Sequence, residues 1–556
     1  MNSRRLGQLK FAKKLHQGAA AQPHGAKQPQ SFTIRQKIRF WRIMSDATPP
    51  ASNELEQQRR QKLAAIRAKG IDPYPVRFQG KQDLQAIRLQ YFGAEDELTP
   101  PEDAALVTTA GRIVAIRDMG KAQFMQIQDH SGRMQIYASN KTLSEEDYFI
   151  LRQLDLGDII GIFGKPFRTR TGEPTIQAER LSLLAKNLHP LPVVKEKDGE
   201  IYDGISDIEL RYRQRYIDLA VNADARKTFT LRSMILREIR DFLHQRGFME
   251  VETPMMQAIA SGAAARPFIT HHNALDIDLF LRIAPELYLK RLIVGGYEKV
   301  FEMNRNFRNE GISTKHNPEF TMIEIYQAYA DYHTMMELTE EIFETLALKL
   351  YGKTEIPYGQ HTVSLKRPWR RVSYLDSIAE ATGLDFNKFL GEENPSAAEA
   401  KKMAESIGLK AEDLHTFWEV VDLVFSEKIE PNLIQPTIVM HYPKAISPLA
   451  KAIPGNPHLV ERFEPYIAGR EMGNAFSELN DPDEQELRFR EQARQKDSGA
   501  EETMATDDDF VTALKVGMPP TGGLGLGIDR LVMLFANKAS IKDVILFPLL
   551  RPNRQT

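Results

Sequence analysis

The stretch FRNEGISTKHNPEF, Phe307 to Phe320, gathers Arg308, Lys315 and His316 with Glu310 and Glu319, and closes on two aromatics. Such a set suits a flat, anionic ligand. The planar fork of Arg308 takes a phosphate. Glu310 accepts from an exocyclic amine, Phe320 stacks on a ring, and Lys315 and His316 reach outer phosphates. A polar sheet face with no ligand is the competing reading of the same residues.

Two later segments add to the set. In RFEPYIAGREMGNAFSELND, Glu464, Glu471 and Glu478 recur every seven residues, but Pro465, Gly469 and Gly473 argue against a helix. In a strand, Asn474, Phe476 and Glu478 share a face. Carboxylates beside a phosphate site are ligands for Mg²⁺, a hard cation that binds one or two of them plus substrate oxygens; surface acids are the alternative. The segment GGLGLGIDR, Gly522 to Arg530, is neither a P-loop nor a dinucleotide fingerprint. Its alternate glycines let a ligand lie close on a strand. A helix beginning near Leu531 then carries Arg530 in its first turn, where it can meet a phosphate or simply pack at the surface.

The elements that must position these residues follow from periodicity. Strand parity in KVFEMNRNFRNE puts Phe301, Met303 and Phe307 on one face, and Glu302, Asn304, Asn306, Arg308 and Glu310 on the other. In EFTMIEIYQAY, Thr321, Ile323 and Ile325 oppose Phe320, Met322, Glu324 and Tyr326. Paired as an antiparallel hairpin, the two strands bring Arg308, Glu310, Phe320, Glu324 and Tyr326 onto one floor.

Upstream, RKTFTLRSMILREIRDFLHQRGF reads as an amphipathic helix with Leu231, Ile235, Ile239, Phe242 and Leu243 as its apolar stripe and Gly247 at its end. Pro254 terminates the extended FMEVETPMM that follows. Between about residues 101 and 190 the period is two. Met125, Ile127, Met134 and Ile136 fall on one side of a hairpin, and Phe124, Gln126, Gln128, Arg133, Gln135 and Tyr137 on the other. Further strands at GDIIGIFG and PTIQAERLSLL, with turns expected near Gly164–Pro166 and at Thr171-Gly172, suggest a small barrel, an OB-fold being one candidate. Its exposed aromatics and amides suit unpaired bases.

Residues 46–100 hold a helix, LEQQRRQKLAAIRAK, whose Arg59, Arg60, Lys62 and Arg67 form a solvated face or touch RNA. Residues 1–45 are basic and contain neither Asp nor Glu. They read as a disordered tail, a targeting or RNA-binding extension, or sequence upstream of a true start at Met44.

Composition narrows the chemistry. The 556 residues contain no cysteine, which excludes disulfides, thiolate nucleophiles and Cys-bound metals and is compatible with a cytoplasmic location. The net charge of −2 supplies no global field for nucleic acid, so any such contact must be local. No apolar run has the length of a membrane span.

GFMEVETPMM, FRNE…HNPEF and GLGIDR, in that order, resemble the three signature motifs of class II aminoacyl-tRNA synthetases. RYRQRYIDL, RIAPELYLKRL, YADYH, LIQPT, GREMGN and FSELND resemble the bacterial lysine-specific branch, from about Leu55 to Pro552. The resemblance implies an α+β protein: an OB-fold anticodon barrel, then a catalytic domain over 205–552 on an antiparallel sheet flanked by helices, with a helical insertion around 385–430. It implies a homodimer with Pro254 at the two-fold axis, ATP and L-lysine as substrates, Mg²⁺ as cofactor, and tRNA(Lys) as partner.

It also implies roles. Arg308 and Arg530 are catalytic; Arg308 holds the α-phosphate, Glu310 and Phe320 the adenine, and His316 and Arg530 the outer phosphates. Glu464 and Glu471 bind the metal. Gly262 and Glu286 contact the α-amino group, and Arg308 and Asn474 the carboxylate. Glu324, Tyr326 and Glu478 hold the ε-ammonium, with Phe476 along the alkyl stem. Phe124, Gln135 and Arg117 read the anticodon. One departure is Ala260-Ser261 ahead of Gly262, where the family carries Pro-Gly. Aspartate or asparagine activation, lysine transfer to a protein, and RNA binding without chemistry are the competing functions. The acidic pocket disfavours the first, the barrel the second, and the intact Arg308, Glu464, Glu471 and Arg530 the third.

Overall fold

The computed structural model describes residues 54–192, 195–197, 200–202, 207–259, 262, 265–392, 395–497 and 506–552. The basic segment 1–45 and the Ala260-Ser261 departure lie outside them. The chain divides into two compact units, residues 1–191 and 192–556.

In the first unit, β1 (Val107–Asp118), β2 (Ala122–Gln128), β3 (Arg133–Ser139), β4 (Ile159–Arg168) and β5 (Pro174–Ala185) close a barrel in the order β1-β2-β3-β5-β4. Alternation drives the closure: Met125, Ile127, Met134 and Ile136 are buried inside. Phe124 pairs with Tyr137 and Gln126 with Gln135 on the outside.

The turn expected at Gly164–Pro166 is absent. β4 runs through it to Arg168, with an irregular register at Phe163/Gly164. A Cβ at Gly164 would collide with the backbone of Gln177, so this glycine marks close strand approach and not a reversal. The turn expected at Thr171-Gly172 is present, closed by a backbone bond between Thr169 and Glu173.

The helix Glu54–Ala68 is not merely a solvated surface helix. Arg59 is buried and donates to the Asn187 side chain at 2.8 Å, and Lys62 pairs with Asp155 at 2.6 Å. These cations dock the helix on the barrel. A second helix, Leu84–Phe92, which went unrecognised in the sequence, buries Leu84, Ile87 and Phe92.

The second unit is built on a nine-stranded sheet. α1 (Ala223–Gln245), capped by the Asn222 side chain, leads to β6 (Met249–Glu250). Next come α2 (Glu286–Val294), β7 (Lys299–Phe307), β8 (Glu319–Ala328) and α3 (Tyr332–Tyr351). β9 (Arg370–Ser373), β10 (Thr437–Pro443), β11 (Asn456–Tyr466), β12 (Gly473–Ser477), β13 (Thr521–Gly527) and α4 (Ile528–Phe535) complete the frame. The order is β9-β10-β11-β12-β13-β8-β7-β6, with a short strand, Ala452–Ile453, on β11. The sheet is antiparallel except at its edges, where β9–β10 and β6–β7 pair in parallel.

Hairpin register matches the parity argument: Phe301 faces Ile325, Glu302 faces Glu324, and Asn306 faces Phe320. Phe301, Met303, Ile323, Ile325, Leu524 and Leu526 join one apolar core with Ile235 and Ile239 of α1 and Met335 and Met336 of α3. The opposite face is thereby left for polar work. Two expected boundaries move. β7 stops at Phe307, so Arg308 adds one further backbone bond across the hairpin, to Pro318 at 2.9 Å, and Glu310 stands exposed in a loop. α4 starts at Ile528 because Asp529 is fixed at its first turn by Arg232 at 2.6 Å and by the Thr321 N–H at 2.8 Å.

Helices span Tyr374–Thr382, Ala397–Ser406 and Phe417–Lys428 around the segment expected to be an insertion, the last closed by a Thr416–Glu419 capping box. Among the described residues, no helix is long and apolar enough to cross a membrane.

Candidate active site

A cavity of about 670 Å³ opens on the polar face of the sheet, and every second-unit residue to which the resemblance gives a substrate, nucleotide or metal role lines it. β13 explains the hollow. It runs between β8 and β12, so Gly523 stands between Tyr326 and Phe476, and Gly525 between Glu324 and Asn474. The two glycines put no side chain on the floor while their neighbours rise on either side.

At the inner end, Glu286, Glu324 and Glu478 are all buried. Tyr326 donates its hydroxyl to Glu324 at 3.0 Å. Glu478 Oε1 is buried with no hydrogen-bond partner. A bare carboxylate oxygen in this position is a seat for a cation, since leaving it unpaired is costly. Burial, and then the charge of Glu286, pushes the Glu324 carboxyl up to about 8; burial also drives Glu478 well above the ordinary carboxylate range, against the opposing pull of Lys290. Gly262 has φ of 91°, a conformation that favours glycine, and its α-carbon faces the β-carbons of Ala284 and Glu286.

The outer end is cationic. Arg308 lies over the Phe320 ring at 5.2 Å, and its buried Nε has no hydrogen-bond partner. Arg530 donates to Glu471 Oε2 at 3.1 Å and to the Glu471 carbonyl at 2.9 Å. His316 lies 3.5 Å from Arg530; burial, then the guanidinium, lowers its pKa and keeps it neutral at pH 7. Lys315 reaches Glu430 at the foot of the insertion at 3.0 Å.

Between the ends, Glu464 accepts from Tyr442 at 2.8 Å, Tyr466 at 2.7 Å and Arg462 at 2.6 Å. Burial raises its pKa, and Glu471 raises it further. Two mutually repelling carboxylates with hard oxygen donors fit a divalent cation that would relieve the repulsion.

Several functional contacts were not read from the sequence. Arg462 joins Glu464 to Asn474, donating to the latter at 2.9 Å; its signal was the i, i+2 spacing from Glu464 on one strand. Lys290 lies one helical turn after Glu286. Thr416 and Trp418 of the insertion also line the cavity, and no local pattern marks them. Glu302, placed on the polar floor by parity, does not line the cavity: it accepts from Thr253 at 2.6 Å and Arg282 at 2.8 Å, tying β6's exit to the hairpin.

On the barrel, Phe124 packs at a tilt against Tyr137 with centroids 5.0 Å apart, and Phe167 meets Tyr137 edge-on at 6.3 Å. Arg117 pairs across from Phe124, and Gln135 donates to Thr175 at 2.9 Å. Tyr137 and Phe167 thus extend an aromatic row that the sequence showed only in part.

Residues 207–551 match the model of the class II tRNA synthetases (D, K and N), and residues 107–184 match the OB-fold nucleic acid binding domain of the tRNA anticodon family. The chain belongs to the class II tRNA synthetases of that group. It is 54% identical to a lysine-tRNA ligase of Carboxydothermus hydrogenoformans over 500 residues, 90% of this chain and 98% of the relative. A lysine-tRNA ligase of Pelotomaculum thermopropionicum is 53% identical over 90% of this chain and 95% of its own. One of Citrobacter koseri is 49% identical over 91% and 98%. Within the class, the chain belongs with the lysine-tRNA ligases.

Proposed function

We propose that the cavity holds L-lysine and ATP end to end, forms lysyl-adenylate with release of pyrophosphate, and passes lysine to the 3′ end of tRNA(Lys). The observation that carries this reading is the polarity of the hollow. Its inner end has three buried carboxylates and an unpartnered Glu478 oxygen, and its outer end an unpartnered Arg308 donor and Arg530. An ammonium fits the first and a phosphate the second.

The lysine carboxylate is already a nucleophile, so positioning and charge stabilisation suffice and no general base is needed. Its oxygen attacks the α-phosphorus, and the bond to the β-phosphate oxygen breaks. Arg308 spans the lysine carboxylate and the α-phosphate, with the adenine stacked on Phe320 and its amine near Glu310. Arg530 and neutral His316 take the outer phosphates. Arg462 holds Asn474 toward the carboxylate. Glu464 and Glu471 are the residues that would hold Mg²⁺, which neutralises phosphate charge when bound. In the second step the terminal ribose hydroxyl attacks the carbonyl carbon and AMP leaves.

Glu324, Tyr326 and Glu478 take the ε-ammonium, Phe476 the alkyl stem, and Gly262 and Glu286 the α-amino group. The aromatic row at Phe124, with Arg117 and Gln135, stacks and reads anticodon bases. Exposed Met249, Met255 and Met256 beside Pro254 form an apolar strip suited to a homodimer. The location is cytoplasmic. Charging of tRNA(Lys) with labelled lysine tests the whole reading; a folded chain that charges no tRNA with lysine overturns it.

A further inference from the structure

Behind the inner end of the cavity, and not lining it, lies Lys290 of α2, whose side chain is wholly buried. Its ammonium contacts Glu286 Oε1 at 2.6 Å from one side and Glu478 Oε2 from the other. The rings of Phe476 and Phe510 flank it at 5.3 and 5.9 Å. A buried lysine is costly unless paired, and here it is paired twice. The charges around it come from each packed element: Glu286 on its own helix, Glu478 after β12, and Glu324 with Tyr326 on β8. The neighbouring Arg291 is turned away to Asp507, at 2.8 Å.

The pocket therefore sets three carboxylates against one resident cation. A ligand with two ammonium groups completes the balance. Neither oxygen of Glu478 has a well-directed hydrogen bond, but Oε2 lies against the Lys290 ammonium, so Oε1 is the oxygen left without a charged partner.

We propose that Lys290 is a positioning residue for substrate lysine: it fixes Glu286 and Glu478 from behind and turns Glu478 Oε1 toward the incoming ε-ammonium. The inference rests on the assignment of this pocket to lysine. Lys290 does not touch the substrate. It holds a proton permanently, because burial lowers its pKa but the two carboxylates more than offset that. Without it, Glu478 loses a nearby charge that favours its ionised form, and a proton competes more strongly for the cation's place. Substrate must then displace that proton.

The test is Lys290→Met, which keeps the length and apolar stem but not the charge. In lysine-dependent ATP–pyrophosphate exchange, the variant should raise lysine KM about tenfold or more and move the midpoint of the KM–pH profile up by about one unit. ATP KM should stay unchanged. Lys290→Arg, which keeps the charge, should leave the profile's midpoint in place even where the larger head weakens binding. A Met variant with unchanged lysine KM and unshifted profile overturns the proposal, as do parallel losses of ATP and lysine affinity in Met and Arg variants alike, which mark a purely structural role. Absence of lysine-dependent exchange in the unmodified enzyme would instead refute the assignment of the pocket itself.

Discussion

Oxygen Oε1 of Glu478 occupies the space that a β-carbon on Gly523 would need. The proposed ammonium seat thus depends on a missing side chain on the adjacent strand. Gly523→Ala should push the carboxylate aside and cost about 1–3 kcal/mol of lysine affinity. Lysine KM from exchange kinetics should rise accordingly, with ATP KM unmoved; an unchanged lysine KM would remove Glu478 from the pocket.

Protonation should govern lysine binding. The Glu324 carboxyl, raised to about 8, carries a proton in the empty pocket at neutral pH, and Glu478 is shifted in the same direction. The substrate's ε-ammonium, with an ordinary pKa of about 10.4, needs those groups ionised. Affinity is therefore full above about pH 8 and falls as pH drops through it, roughly tenfold per unit for each proton displaced. Glu324→Gln should flatten that dependence. Lysine KM measured from pH 6 to 9 checks both; a flat profile in the unmodified enzyme contradicts the charge assignment.

Most of this site was legible because strand parity is strict. Once β7 and β8 pair, Phe301 and Ile325 must share a core, and Glu324 and Tyr326 must share the other face. Family resemblance then extended the reading to Gly262 and Glu286. Lys290 and Arg462 were missed for a physical reason. They act by holding other side chains, and a buried cation inside LYLKRL or ERFEP carries no local mark of its partner 188 or 12 residues away. The turn expected at Gly164 failed similarly, since glycine serves close strand approach as well as reversal. The barrel's inner face was plain from alternation; the docking of Arg59 on Asn187, 128 residues apart, was not.

Asp529 ties the first turn of α4 to two other elements, accepting from Arg232 of α1 and from the Thr321 N–H of β8. Removing one partner of a buried ion pair costs about 3–5 kcal/mol. Asp529→Ala should lower the unfolding free energy of the catalytic unit, read from denaturant titration, by about that much, whereas Asp481→Ala, which removes only an exposed helix cap, should cost about 0.5–2 kcal/mol.

Phe124 stands in the aromatic row of the barrel, on a unit separate from the cavity's. Phe124→Ala should weaken tRNA charging by about 1–3 kcal/mol if one base stacks there, while sparing lysine-dependent pyrophosphate exchange. Equal loss in both assays would contradict an anticodon role.

The account stands or falls on what the inner end of the cavity selects. ATP–pyrophosphate exchange measured with each of the twenty amino acids, on the unmodified chain and on Glu478→Gln, addresses it directly. Lysine should drive exchange far above every other amino acid, and the Gln variant should lose that preference while still binding ATP. Exchange driven best by an uncharged or acidic amino acid, or lysine preference surviving in Glu478→Gln, would contradict it.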